Sequence, residues 1–143
     1  MPEHDRIVTV AREWALKAEN DLKNAAHTLK LEADCPTDTV CYHAQQVVEK
    51  YLKALLVLKG IDFPKTHSIE TLLALVPAAE RPDLSDAEQD KLTDYATVAR
   101  YPGDYEPIPL IEARRSVAIA RRVRKDIRKL LSKEALRSRR ARS

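Results

Sequence analysis

The chain has 143 residues, enough for one compact domain and too few for two comfortable ones. Apolar residues make up 44% and aromatics only 5%, so Leu, Val, Ile and Ala must build the core, and with Gly60 and Gly103 as the only glycines the composition favours helix over a turn-rich β protein. The net charge of +3 hides a split: residues 110–143 carry 13 Lys or Arg against three Asp or Glu, whereas residues 1–109 carry 12 against 19, so the two segments should attract and the basic end also suits an acidic partner or nucleic acid.

The periodicity predicts a first helix over 8–32. Ala11, Ala15, Ala18, Leu22, Ala25 and Leu29 recur at steps of three and four, forming one stripe with Trp14 beside it. Its small residues let a neighbouring helix approach closely. Pro36 breaks the chain, and Thr37 or Asp38 is placed to cap a second helix that ends near Lys59 with Gly60 as its stop. Ala44, Val47, Val48, Tyr51, Leu55 and Leu58 form the apolar side of that helix.

A connector, Phe63-Pro64-Lys65-Thr66-His67-Ser68, leads to a short third helix over 68–79. Thr66 or Ser68 caps it, and Ile69, Leu72, Leu73 and Val76 face the core. Ser85-Asp86-Ala87-Glu88 is a capping box that opens a fourth helix through Leu92, Tyr95, Ala96 and Ala99. Proline and glycine in Arg100-Tyr101-Pro102-Gly103-Asp104-Tyr105-Glu106-Pro107 stop it. After Pro109, a favourable first-turn residue, the fifth helix carries Ala113, Val117, Ala120, Val123, Ile127, Leu130 and Leu131 and is expected to fray after Lys133. The expected fold is all-α: an antiparallel up-and-down bundle of four to five helices over 8–133, followed by a basic, disordered tail over 134–143.

Cys35 and Cys41 have no Cys or His neighbours at metal-ligand spacing, so no metal and no cofactor is expected, and the thiols are expected to be reduced. No secretory start and no apolar run of membrane-spanning length is visible, which points to the cytoplasm.

The polar residues of the second helix are unusual. On a helical wheel His43, Gln46, Lys50 and Lys53 share one side, flanked by Gln45 and Glu49, with Glu49 and Lys53 able to pair at i,i+4. This set reads either as the wet side of an amphipathic helix or as a ligand or partner surface. His67 either ties down its loop or, with Lys65 and the lysines of the second helix, borders a phosphate site. Arg100, Tyr101, Asp104 and Tyr105 read either as a bundle rim or as a nucleotide platform, the guanidinium for phosphate and the rings for stacking.

His43-Ala44-Gln45-Gln46, Glu49-Lys50, Lys53-Ala54-Leu55-Leu56, then Pro64-x-x-His67-x-Ile69-x-x-Leu72, then Arg100-Tyr101-Pro102 resemble, in that order, the HEPN domain family. The resemblance covers roughly 8–132. It implies a bundle similar to the C-terminal domain of kanamycin nucleotidyltransferase, a homodimer, and nucleotide binding. It also implies work beside a minimal nucleotidyltransferase partner in a two-component, toxin–antitoxin-like system. Many members are metal-independent ribonucleases whose signature is Arg, four to six residues, then His. Here the corresponding positions are Leu22, Asp21 and Asn20 before His27; Asp38, Thr37 and Pro36 before His43; and Asp62, Ile61 and Gly60 before His67. None is Arg, so a binding role through His43, Gln46, Lys50, Lys53, Lys65, His67, Arg100 and Tyr101 is favoured over catalysis. Two alternatives remain: a divergent ribonuclease with His43 or His67 as general base, and an RNA-binding module led by the basic C-terminal helix.

Overall fold

The computed structural model describes residues 3–96 and 106–142, with side chains to Leu131. The described residues are helical, with no strands. Helix α1 spans Glu3–Leu29, α2 Thr37–Leu58, α3 Ile69–Leu75, α4 Asp86–Tyr95 and α5 Leu110–Arg142. Short 3₁₀ turns at Glu32–Asp34 and Ala78–Glu80 serve as connectors.

The local signals act as expected at several ends. Gly60 takes a positive φ of 69°, and the Gly60 and Ile61 amides donate back to Val57 and Leu56 carbonyls at 3.0 and 2.9 Å. That is the paired-bond termination a left-handed glycine permits. Ser68 accepts from the Thr71 amide, and the capping box of Ser85 and Glu88 is complete in both directions. The start of α2 differs. Pro36 occupies the cap position, and the Thr37 hydroxyl instead donates to the Ile108 carbonyl at 2.6 Å, tying α2 to the entry of α5. Helix α3 stops at Leu75, short of the expected 79, because Val76 turns extended ahead of Pro77. Helix α5 runs past the expected end at Lys133 to Arg142. Residues 134–142 are mostly Ala, Leu, Glu and Arg, with no Gly or Pro to stop them.

The larger correction concerns α2. It is the central helix of the bundle, packed against α1 and α5 along its length and against α3 and α4 on its remaining side. Val40, Cys41, Ala44–Glu49 and Tyr51–Leu56 are all buried. The supposed wet side is therefore interior. Asp21 and Trp14 of α1 and Phe63 and His67 of the connector lie against it, while the buried stripes of α1 (Ala11, Ala18, Leu22 and Ala25) and α5 (Ala113, Val117, Ala120, Val123 and Ile127), with Ile69, Leu72 and Leu92, belong to the bundle's core. The small residues of α1 allow that close approach, and α2 fills the space with Tyr51, Leu52, Leu55 and Leu56.

Candidate functional site

A polar face buried at the centre of a bundle must satisfy itself, because an unpaired buried charge or amide costs several kcal/mol. Two carboxylates organise the residues that do so. Asp21, on α1, takes His43 Nδ1 on one oxygen at 2.8 Å and Lys50 Nζ on the other at 2.6 Å. Glu49, on α2 itself, accepts from Gln45 Nε2 at 3.0 Å, Lys53 Nζ at 3.1 Å and His67 Nδ1 at 2.8 Å. Gln46 joins the groups laterally, its amide donating to Gln45 Oε1 at 2.6 Å and to Glu49 Oε1 at 3.5 Å. Gln45 also donates to the His67 carbonyl at 3.2 Å, which fixes the connector to the helix. No described buried side-chain N or O atom lacks a partner.

The Glu49–Lys53 pair has the i,i+4 spacing anticipated for it, but both side chains are interior. The Lys53 ammonium also sits over the rings of Trp14 and Phe63, at 5.2 and 5.9 Å from their centroids, so aromatic faces replace much of its lost water. Burial alone would raise the Glu49 carboxyl. The hydrogen bonds from Gln45, His67 and Lys53 and the charge of Lys53 outweigh burial, and Glu49 titrates below its ordinary range. At neutral pH it is a buried anion.

The network opens to solvent at its edge. The His67 side chain is 69% exposed, while His43 and Lys50 keep 24% and 20%. Each histidine meets its carboxylate through Nδ1. Because a carboxylate only accepts, Nδ1 carries the hydrogen, and Nε2 makes no hydrogen bond among the described residues. Lys65 is exposed on the connector beside His67 and has no hydrogen bond or ion pair among the described residues.

Of the expected site residues, His43 and Lys50 thus gather on Asp21, and Gln46, Lys53 and His67 on Glu49, along one flank of α2. Each α2 lysine is paired with a carboxylate of the chain itself, Lys50 with Asp21 at the half-open edge and Lys53 with Glu49 in the interior. Arg100 and Tyr101, with Asp104 and Tyr105, lie outside the described residues. Asp21 escaped the sequence reading, although its signal was there. It falls three residues after Ala18 and four before Ala25, inside the apolar stripe of α1, where an unpaired carboxylate is not tolerated. Trp14 and Phe63 were noted without their role as the walls around Lys53.

No group of three or more His, Cys, Asp or Glu among the described residues is placed to hold a metal ion, and no helix is long and apolar enough to cross a membrane. Cys35 and Cys41 are free thiols, and burial raises the Cys41 thiol above its ordinary range.

Residues 11–130 match the HEPN domain family model. The chain is also similar to the solved structure of TT1696 from Thermus thermophilus. The two are 26% identical, with a TM-score of 0.65 over 83% of this chain and 96% of that one. No curated protein gives a significant match. The chain belongs to the HEPN domain family.

Proposed function

We propose that this HEPN chain is a non-catalytic binding module. It dimerises and pairs with a minimal nucleotidyltransferase in a two-component, toxin–antitoxin-like system, with a nucleotide held at the exposed edge of the α2 network. The observation that carries the reading is that network. A buried ion pair is seldom worth more to stability than apolar residues of the same volume. Stability therefore gives no reason to keep Gln45, Gln46, Glu49, Lys53 and Asp21 inside the core. Their joint effect is to hold His43, Lys50 and His67 in fixed orientations at the surface. Fixed donors of mixed type suit recognition of a phosphate or a partner carboxylate.

Two further features support parts of the proposal. The spacing Arg, four to six residues, then His is absent, which removes the expected ribonuclease pair. An apolar groove of about 290 Å³ lies between α1 and α5, walled by Val8, Ala11, Leu58 and Leu131, with the 62%-exposed Leu16 on its rim. That surface suits a dimer seam. The test is titration calorimetry with ATP, GTP and short RNAs, together with co-expression beside a minimal nucleotidyltransferase. Binding weakened at least about tenfold by His67→Ala or Lys50→Ala supports the module. Absence of both binding heat and co-purification overturns it.

A second reading, a divergent ribonuclease, rests on one observation: His67, a largely exposed side chain, is held by Glu49 as a general base is held by its orienting carboxylate. His43, held by Asp21, is the other candidate base. Purified protein that cleaves total RNA, and stops cleaving as His67→Ala, favours this reading over the binding module. RNA left intact removes it.

A further inference from the structure

Helix α5 carries eight Lys or Arg between Arg114 and Lys129. The structure sorts them into two sets. Four are consumed by the acidic remainder of the chain. Arg124 and Arg128 share Glu19 at 2.7 and 2.9 Å, Arg122 meets Glu88 at 2.9 Å, and Arg114 meets Glu32 at 3.1 Å. The other four, Arg115, Arg121, Lys125 and Lys129, are exposed and make no hydrogen bond or ion pair among the described residues. Glu112 lies near Arg115, but its oxygens are already engaged by Lys91 and the Tyr95 hydroxyl.

These four free cations form a ridge. At about 100° per residue they fall within an arc of about 120°, centred opposite the buried stripe Ala113, Val117, Ala120, Val123 and Ile127. Ala118 lies between them and keeps the ridge low. From Arg115 to Lys129 the ridge runs about 21 Å, with Arg121, Lys125 and Lys129 spaced about 6 Å apart along the axis. Like charges at i,i+4 repel when no counter-charge is present. Asp126, one turn before Lys129, adjoins the ridge but makes no ion pair with it, so among the described α5 side chains Arg114, Arg122, Arg124 and Arg128 are neutralised and these four are not.

We propose that this outer face of α5 docks on the phosphate backbone of a nucleic-acid duplex. Regularly spaced cations on a convex helix match a line of phosphates and release their counterions on contact. α5 carries no aromatic side chain, so it offers no stacking platform for the bases of a single strand. Among its described side chains it presents no apolar row to enter a membrane interface, since Ile111 is the one large exposed apolar residue there. The contact is therefore with backbone, independent of base sequence.

The experiment is fluorescence anisotropy with the full-length protein and a labelled 20-base-pair DNA duplex, across a salt series. Four phosphate contacts give a slope in log affinity against log salt of about −3.6, or a loss of about 150-fold between 50 and 200 mM salt. The variant Arg115→Gln/Arg121→Gln/Lys125→Gln/Lys129→Gln should bind at least about tenfold more weakly at low salt and flatten the slope by about 3.6. The half-variants Arg115→Gln/Arg121→Gln and Lys125→Gln/Lys129→Gln should each remove about half of that slope, which keeps the test decisive if the quadruple variant folds poorly. Arg124→Gln, which breaks a paired cation, should leave the slope unchanged. Wild-type affinity and slope in the quadruple variant, as expected if residues 132–143 did the binding, would overturn the proposal. So would tighter binding to polyglutamate or to anionic-lipid vesicles than to the duplex, or no duplex binding at 50 mM salt.

Discussion

Removing the Glu49 carboxylate should unfold this protein more readily than any single apolar truncation of similar size at its surface. In Glu49→Ala the Lys53 ammonium keeps its place between Trp14 and Phe63, only 9% exposed, with no anion to balance it. Gln45 and His67 also lose an acceptor. Breaking one side of a buried pair costs about 3–5 kcal/mol. The cation–π contacts can recover only about 1 kcal/mol of that. At about 3–4 °C per kcal/mol for a chain of this length, the net cost of about 2–4 kcal/mol should lower the melting temperature by about 6–16 °C. The companion variant Glu49→Met/Lys53→Met removes both charges and keeps the volume. It should be more stable than Glu49→Ala, with a coupling of at least about 2 kcal/mol between the two sites. Urea unfolding of the wild type, Glu49→Met, Lys53→Met and the double measures that coupling. A Glu49→Ala cost below about 1 kcal/mol, or a double-variant cost equal to the sum of the singles, would refute the closed network.

Other consequences are open to measurement. Glu19, Glu49, Glu88 and Glu112 all titrate below their ordinary value of 4.5, despite the opposing effect of burial on each, because of bonds from Arg124, Gln45, Ser85 and Tyr95 among others. A depressed folded-state pKa means that the unfolded chain takes up protons first. Stability should therefore be full above about pH 5.5 and fall as pH drops below 4.5, read as the urea midpoint between about pH 3 and 7; an equal midpoint at pH 4 and 7 would contradict this. Asp21→Asn should cost about 1–3 kcal/mol in the same assay, because His43 and Lys50 both depend on that carboxylate. Ser85→Ala, which opens the capping box, should cost about 1 kcal/mol and leave ligand binding untouched. Leu16→Glu should shift a dimer toward monomer in light scattering without lowering the monomer's helix content, since Leu16 is exposed in the single chain.

Fold and site were unequally legible for a physical reason. Helix periodicity, the Ser68 and Ser85 caps and Gly60 are local signals, and they gave the helices in their right order, although α1 begins and ends earlier than expected, α3 ends earlier and α2 lacks the expected side-chain cap. The role of α2 was not local. A row of His, Gln, Glu and Lys at helical spacing looks the same whether water or Asp21 satisfies it. Asp21 stands 22 residues from His43 and 29 from Lys50 in the chain, so no window on α2 alone contains the answer. The discriminating signal lay on α1, where Asp21 interrupts an otherwise apolar stripe. A charge in register with a core stripe predicts a buried partner on the facing helix, and Lys50 and His43 were the partners available. The same logic separates the two kinds of basic residue on α5. Arg124 and Arg128 border the core stripe and find Glu19, whereas Arg121, Lys125 and Lys129 share an outer face and make no ion pair among the described residues, although Asp126 adjoins them. On both helices the placement of a charge relative to the apolar stripe, more than its identity, decides whether it serves the fold or is left for a partner.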